Sequence, residues 1–121
     1  MVEHVLRAVE CVPPGRVTSY GAIAELMGAT ARQVGSVMRF YGTNVAWWRV
    51  VNAAGDVPAR LRSEVAQHWA AENIGWKPNG LGCVMAEHRV DRDQWSADYA
   101  RAVADLPIYR RGLGRAAPRP Q

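Results

Sequence analysis

The 121 residues suffice for one compact domain and not for two, and a hydrophobic share of 49% supplies apolar material for a genuine core. No apolar run approaches the roughly 18 residues that cross a bilayer, and the N-terminal MVEHVLRAVE mixes charge into a helical pattern instead of reading as a signal peptide. A cytoplasmic monomer with no membrane partner is therefore expected. The formal charge of +4 excludes an acidic, disordered chain and leaves a polyanion open as partner.

In chain order, residues 2–11 read as a helix with Val2, Val5, Leu6 and Val9 on one face. Pro13-Pro14-Gly15 ends it. Ser19 is placed to cap a second helix, Tyr20 to Met27, which Gly28 closes. Thr30 caps a third, Ala31 to Tyr41, with Val34, Val37 and Met38 inward. Two short helices around a three-residue turn predict a helix-turn-helix, or else an ordinary helical hairpin. The apolar stretch Val45 to Val51, the turn Asn52 to Asp56 and then Val57-Pro58 predict a small β-hairpin wing. Residues 59–73 read as a helix with Leu61, Val65 and Trp69 inward. Cys83 to Met85 and His88 to Val90 suit short strands or an extended loop, and Ser96 suits the start of a last helix through Val103. The fold class is thus mainly α with a small β wing. The domain spans residues 1–107, and the Arg-rich 108–121 reads as a disordered tail.

The charges are segregated. Residues 16–62 hold six Arg against Glu25 and Asp56, whereas residues 63–100 hold six acidic side chains against three basic ones. One face could meet a polyanion while the other meets solvent or a protein. Cys11 and Cys83 form no metal or disulfide pattern, and no cofactor is expected.

The blocks VPPGRVTSYGAIAELMG, ARQVGSVMR and AWWRVVNAAGDVP resemble, in order and spacing, the DNA-binding domain of the O6-alkylguanine-DNA alkyltransferases. The active members carry Pro-Cys-His-Arg-Val where this chain has Ala46-Trp47-Trp48-Arg49-Val50. Trp47 stands at the position of the cysteine that takes the alkyl group, and Trp48 at that of its histidine base. Ile74, before Gly75, is read at the position of the acid that orients the base. Alkyl transfer needs a soft, ionisable nucleophile, and indole is not one. The pattern looks like the alkyltransferase-like proteins, which bind O6-alkylguanine in duplex DNA, flip it out, bend the duplex and pass the site to nucleotide excision repair proteins. Alternatives are a helix-turn-helix transcription regulator, or a transferase using Cys11 or Cys83 as a relocated nucleophile.

The resemblance implies roles for single residues. Arg32 would fill the gap left by the flipped nucleotide, the plainer role being a phosphate contact. Tyr20 would rotate the phosphate beside the lesion, or simply pack in the core. Ala31, Gly35 and Ser36 would face the minor groove, although Gly35 could instead pack against the second helix. Ser19 would touch phosphate or only cap, and Arg39 would touch phosphate. Trp47, Trp48, Met38 and Arg60 would form the lesion pocket, with Arg62 competing for the place of Arg60 and either indole able to be the wall. Arg49 suits a structural ion pair.

Overall fold

The computed structural model describes residues 1–107. The tail 108–121 lies outside the described residues. In order come α1 (Val2–Glu10), β1 (Thr18–Ser19), α2 (Tyr20–Met27), α3 (Ala31–Tyr41), 3-10 turns at Gly42–Asn44 and Trp47–Arg49, β2 (Val50–Val51), a 3-10 turn at Ala59–Leu61, α4 (Arg62–Glu72), α5 (Met85–His88) and α6 (Arg92–Ala102).

The helix-turn-helix forms where the caps predict it. Ser19 Oγ accepts the Ala22 N–H at 3.0 Å and starts α2. Gly28 ends α2 in the left-handed conformation, φ 78°, where a side chain would be strained. Thr30 and Gln33 then make a reciprocal capping box that fixes the first turn of α3.

Two apolar clusters result. In the first, Val5, Val9, Ile23, Val34, Trp95 and Tyr99 join α1, α2, α3 and α6. In the second, Val17, Val51, Val57, Val65, Trp69 and Cys83 gather around α4. β2 divides them: Val50 belongs to the first cluster and Val51 to the second, because successive strand side chains point to opposite faces.

The expected wing is where the architecture differs. Val50–Val51 does not pair back onto Val57-Pro58. It pairs in parallel with β1, Thr18 opposite Val50 and Ser19 opposite Val51. The turn at Asn52 does close, with Asn52 N–H donating to the Asp56 carbonyl at 3.1 Å, but the stretch after it meets Gly82. Its approach is tight, since a side chain at Gly55 (φ 88°) would strike the Cys83 carbonyl. The segment after α4 is likewise not a pair of strands. Isolated bridges at Cys83 and Arg89 flank the short α5, and Arg89 meets Val17 in parallel. α6 starts earlier than Ser96 allows, because Asp91 accepts the Gln94 N–H at 3.1 Å and caps it.

A buried ion pair ties the two halves together. Arg49 Nη2 lies 2.6 Å from Glu72 Oε2, and the two side chains are 13% and 11% exposed. Arg49 Nη1 also donates to the Val12 carbonyl at 2.9 Å. Glu72 further accepts the Gly15 N–H at 3.0 Å and the Trp48 ring N–H at 2.9 Å. One carboxylate thus holds the end of α4, the turn before β2 and the loop before β1. Burial pushes the Glu72 carboxyl up, but the hydrogen bonds from Arg49, Gly15 and Trp48 outweigh it and hold the group below its ordinary value.

A carboxyl depressed in the folded state stabilises the fold above its unfolded value, about 4.3, and that contribution is lost as pH falls through the folded value. Glu72→Gln should therefore destabilise the protein by about 2 kcal/mol at neutral pH, the scale of a hydrogen bond to a charged group. The gap between parent and variant should close in denaturant melts as the pH is taken from 6 towards 3. A constant gap would show that the charge of Glu72 contributes nothing.

Candidate nucleic-acid interface

An open cleft of about 1170 Å³ separates the recognition helix from the start of α4. α3 and the first two residues of α2 form one wall; the turn before β2, the loop after it and the first turn of α4 form the other. The two caps set the first wall. Ser19 makes Tyr20 the first helical residue of α2, and the Thr30 box places Ala31 and Arg32 in the opening turn of α3. Arg32, Gly35 and Arg39 then recur at helical spacing along the cleft. A β-carbon on Gly35 would meet no atom within 4 Å. The glycine therefore does not serve packing against α2; it leaves the face of α3 flat.

Tyr20 is half-buried. Burial raises its hydroxyl pKa, and the charge of Arg60 across the cleft works the other way. Arg60 is exposed and borders the cleft. Arg62, its competitor, instead donates Nε to the Val57 carbonyl at 3.1 Å. Met38 does both jobs allowed to it, bordering the cleft and packing on the first apolar cluster.

The two indoles are not equivalent. Trp48 is held by several contacts. Its ring stacks on His68 at 3.6 Å with planes 6° apart, its N–H goes to Glu72, its carbonyl accepts the Trp69 ring N–H at 2.9 Å, and Arg49 lies 5.5 Å from its centroid. Trp47 meets Trp48 and His68 edge-on, each at 5.9 Å. Both border the cleft. Trp48 is thus a braced backing, with Trp47 as the ring set against it.

Ile74, read at the position of the orienting acid, is buried in the second apolar cluster, past the end of α4. The carboxylate that meets Trp48 is that of Glu72. Asn73, in the left-handed conformation at φ 61°, ends α4 where a glycine is the usual signal. The residue at the histidine position is thus bonded to an acid, but it is an indole with no proton to exchange near neutral pH.

Charge is distributed to match. Arg7, Lys77, Arg92 and Arg49 are paired with Asp105, Asp56, Glu25 and Glu72 respectively. Arg32, Arg39 and Arg60 make no ion pair among the described residues and all border the cleft. Unpaired guanidinium groups along one concave face suit phosphate and base contacts. Neither thiol is there: Cys11 flanks the first cluster, Cys83 is buried in the second, and burial raises both pKa values. Among the described residues no three His, Cys, Asp or Glu cluster to hold a metal ion, and no helix is long and apolar enough to cross a membrane.

Of the residues singled out from sequence, the cleft gathers Tyr20, Ala31, Arg32, Gly35, Met38, Arg39, Trp47, Trp48 and Arg60. It leaves out Ser19, which caps, and Ser36, which is exposed on α3. Glu64 borders it unforeseen, and His68 backs it. Their spacing was the available signal, since residues 60, 64, 68 and 72 recur every four along α4 and the turn before it.

Residues 1–74 match the family described as 6-O-methylguanine DNA methyltransferase, DNA binding domain. A DNA base-flipping protein of Escherichia coli is 41% identical over 59 residues, 46% of either chain. Alkyltransferase-like protein 1 of Schizosaccharomyces pombe is 42% identical over 60 residues, 46% of this chain and 56% of that one. The chain thus spans about half the length of these relatives. A crystal structure of S. pombe Atl1 in complex with damaged DNA containing O6-carboxymethylguanine superposes with a TM-score of 0.62 at 27% identity, covering 75% of this chain and 97% of the other. This likeness accords with the mainly helical fold and small two-stranded parallel sheet described above. The chain belongs to the 6-O-methylguanine DNA methyltransferase DNA-binding-domain family.

Proposed function

We propose that this protein binds O6-alkylguanine in duplex DNA, flips it into the cleft and holds it there without removing the alkyl group. The observation that carries the reading is Trp47: an indole borders the cleft at the position where the transferases hold their thiolate. The names of the relatives, base-flipping and alkyltransferase-like, support it, as does the neighbour solved on damaged DNA.

Each wall has a task in this reading. A base within the duplex is out of reach, so it must leave the stack. α3 docks in the minor groove, where the flat face at Ala31 and Gly35 admits the sugar edges. Arg32 enters the stack and fills the gap, and Tyr20 turns the adjoining phosphate. Arg39 holds the backbone. The flipped purine lies against Trp47, with Arg60 over its face; an aromatic contact of that kind contributes about 1–3 kcal/mol. A protein that leaves the adduct in place must pass the lesion to a system that excises nucleotides, and nucleotide excision repair does so.

Matched duplexes test this directly. At one stated salt concentration, a duplex with a single O6-methylguanine should bind at least tenfold tighter than its unmodified twin, and the protein's intact mass should stay unchanged after incubation. Equal affinities would sink the reading in favour of a regulator of undamaged DNA, and a mass gain of one methyl would establish a relocated nucleophile.

Two variants assign the parts. Arg32→Ala should weaken lesion binding by about tenfold or more, the equivalent of about 1.4 kcal/mol. Arg60→Ala should cost about three- to tenfold on the lesion, on the scale of a cation–π contact, and little on the unmodified duplex.

Gly35→Ala separates stability from docking. Alanine should stabilise α3 by roughly 0.5–1 kcal/mol, because space around the position is open. The same variant should bind the lesion duplex more weakly, and a rise in both melting temperature and affinity would remove α3 from the interface.

A further inference from the structure

The cleft is bordered by one carboxylate, Glu64, in a concavity otherwise charged by Arg32, Arg39 and Arg60. A carboxylate in a groove built for a polyanion weakens binding wherever a phosphate passes. It is tolerable only where the backbone does not run. Glu64 stands between Leu61 and Val65, which also line the cleft, on the wall formed by the start of α4, whereas Arg32 and Arg39 lie on α3.

Its charge is also uncompensated. Glu72, two turns further along α4, is neutralised by Arg49. Glu64 is exposed and forms no ion pair among the described residues. Arg60 precedes it by four residues and His68 follows it by four, the latter engaged in stacking on Trp48. Of these groups Glu64 alone presents a full negative charge to the cleft, from the first turn of α4.

We propose that Glu64 is a charge filter, which makes the pocket discriminate against O6-alkyl groups that end in a carboxylate. The inference rests on the lesion-binding reading above. Neutral alkyl groups meet Trp47, Leu61 and Val65 at no electrostatic cost. An alkyl group with a hydrogen-bond donor gains an acceptor in Glu64. An anionic one is repelled, by an amount limited by solvent screening at an exposed site, about fivefold in affinity. Specificity here comes from a repulsive element added to an otherwise permissive aromatic pocket.

The test uses two adducts of nearly identical shape, O6-carboxymethylguanine and its neutral amide O6-carbamoylmethylguanine, in one duplex sequence, with O6-methylguanine and guanine as references. The parent protein should bind the carboxymethyl duplex about fivefold more weakly than the amide. Glu64→Gln should bring that ratio to about one, and Glu64→Lys should invert it. Taking the ratio cancels any uniform gain from removing a charge near phosphate. A ratio unchanged in both variants, which keep an exposed position on α4 and should melt like the parent, overturns the filter while leaving lesion binding intact. Failure of the parent to prefer O6-methylguanine over guanine would overturn both.

Discussion

The contact on which this structure depends is the buried pairing of Arg49 with Glu72. Neither apolar cluster contains it, yet it joins them: Arg49 reaches the Val12 carbonyl beside the first, and Glu72 ends the helix that carries Trp69 in the second. Two charges so far from water are stabilising only if their remaining hydrogen-bonding sites are filled. Here they are, by Val12, Gly15 and the Trp48 ring. The pair therefore also sets where Trp48 points. A cleft wall is thus located by a salt bridge whose two residues do not line the cleft.

The same arrangement explains what the sequence made legible and what it did not. α2 and α3 were readable to the residue because their signals are local: Ser19, Gly28, Thr30 and Gln33 act within one turn of themselves. The pairing of Thr18–Ser19 with Val50–Val51 joins segments more than thirty residues apart, and no local pattern announces a parallel partner. A turn at Asn52 followed by Val57 looked like a hairpin because the turn is real; only the strand's partner was wrong. The start of α6 was misplaced because two capping residues, Asp91 and Ser96, compete in sequence and packing decides. The end of α4 at Asn73 agrees with the sequence pattern, but the bond from Trp48 to Glu72 joins positions 24 residues apart and has no local signal.

The site was more legible than the fold around it, since its residues sit on the two locally determined helices and on a single short motif. Sequence left three choices open, and contacts separate them. Trp48 is held by a stacked ring and by a hydrogen bond to Glu72, while the ring contacts of Trp47 are edge-on. Arg62 is occupied by the Val57 carbonyl while Arg60 faces the cleft. Gly35 borders open space and not α2. Each pair differs by which side chain the scaffold has already engaged, information that spacing alone does not carry. The segregation of charge along the chain has the same origin: arginines outside the cleft are mostly engaged by acids or carbonyls, and those on its walls are not.

Glu72 connects these points to chemistry. In a transferase the acid, the base and the thiol form a path along which a proton moves. In this chain the resemblance places Trp48 at the base position and Trp47 at the thiol position, and Glu72 meets Trp48. The hydrogen bond from Trp48 to Glu72 has the form of the acid–base contact, but an indole N–H can only donate and never returns as an acceptor. The contact is therefore mechanical: a carboxylate fixes the orientation of the Trp48 ring. Trp47 is set against that ring on the cleft wall, so the network of Arg49, Glu72 and Trp48 determines the shape of this wall while offering no proton path.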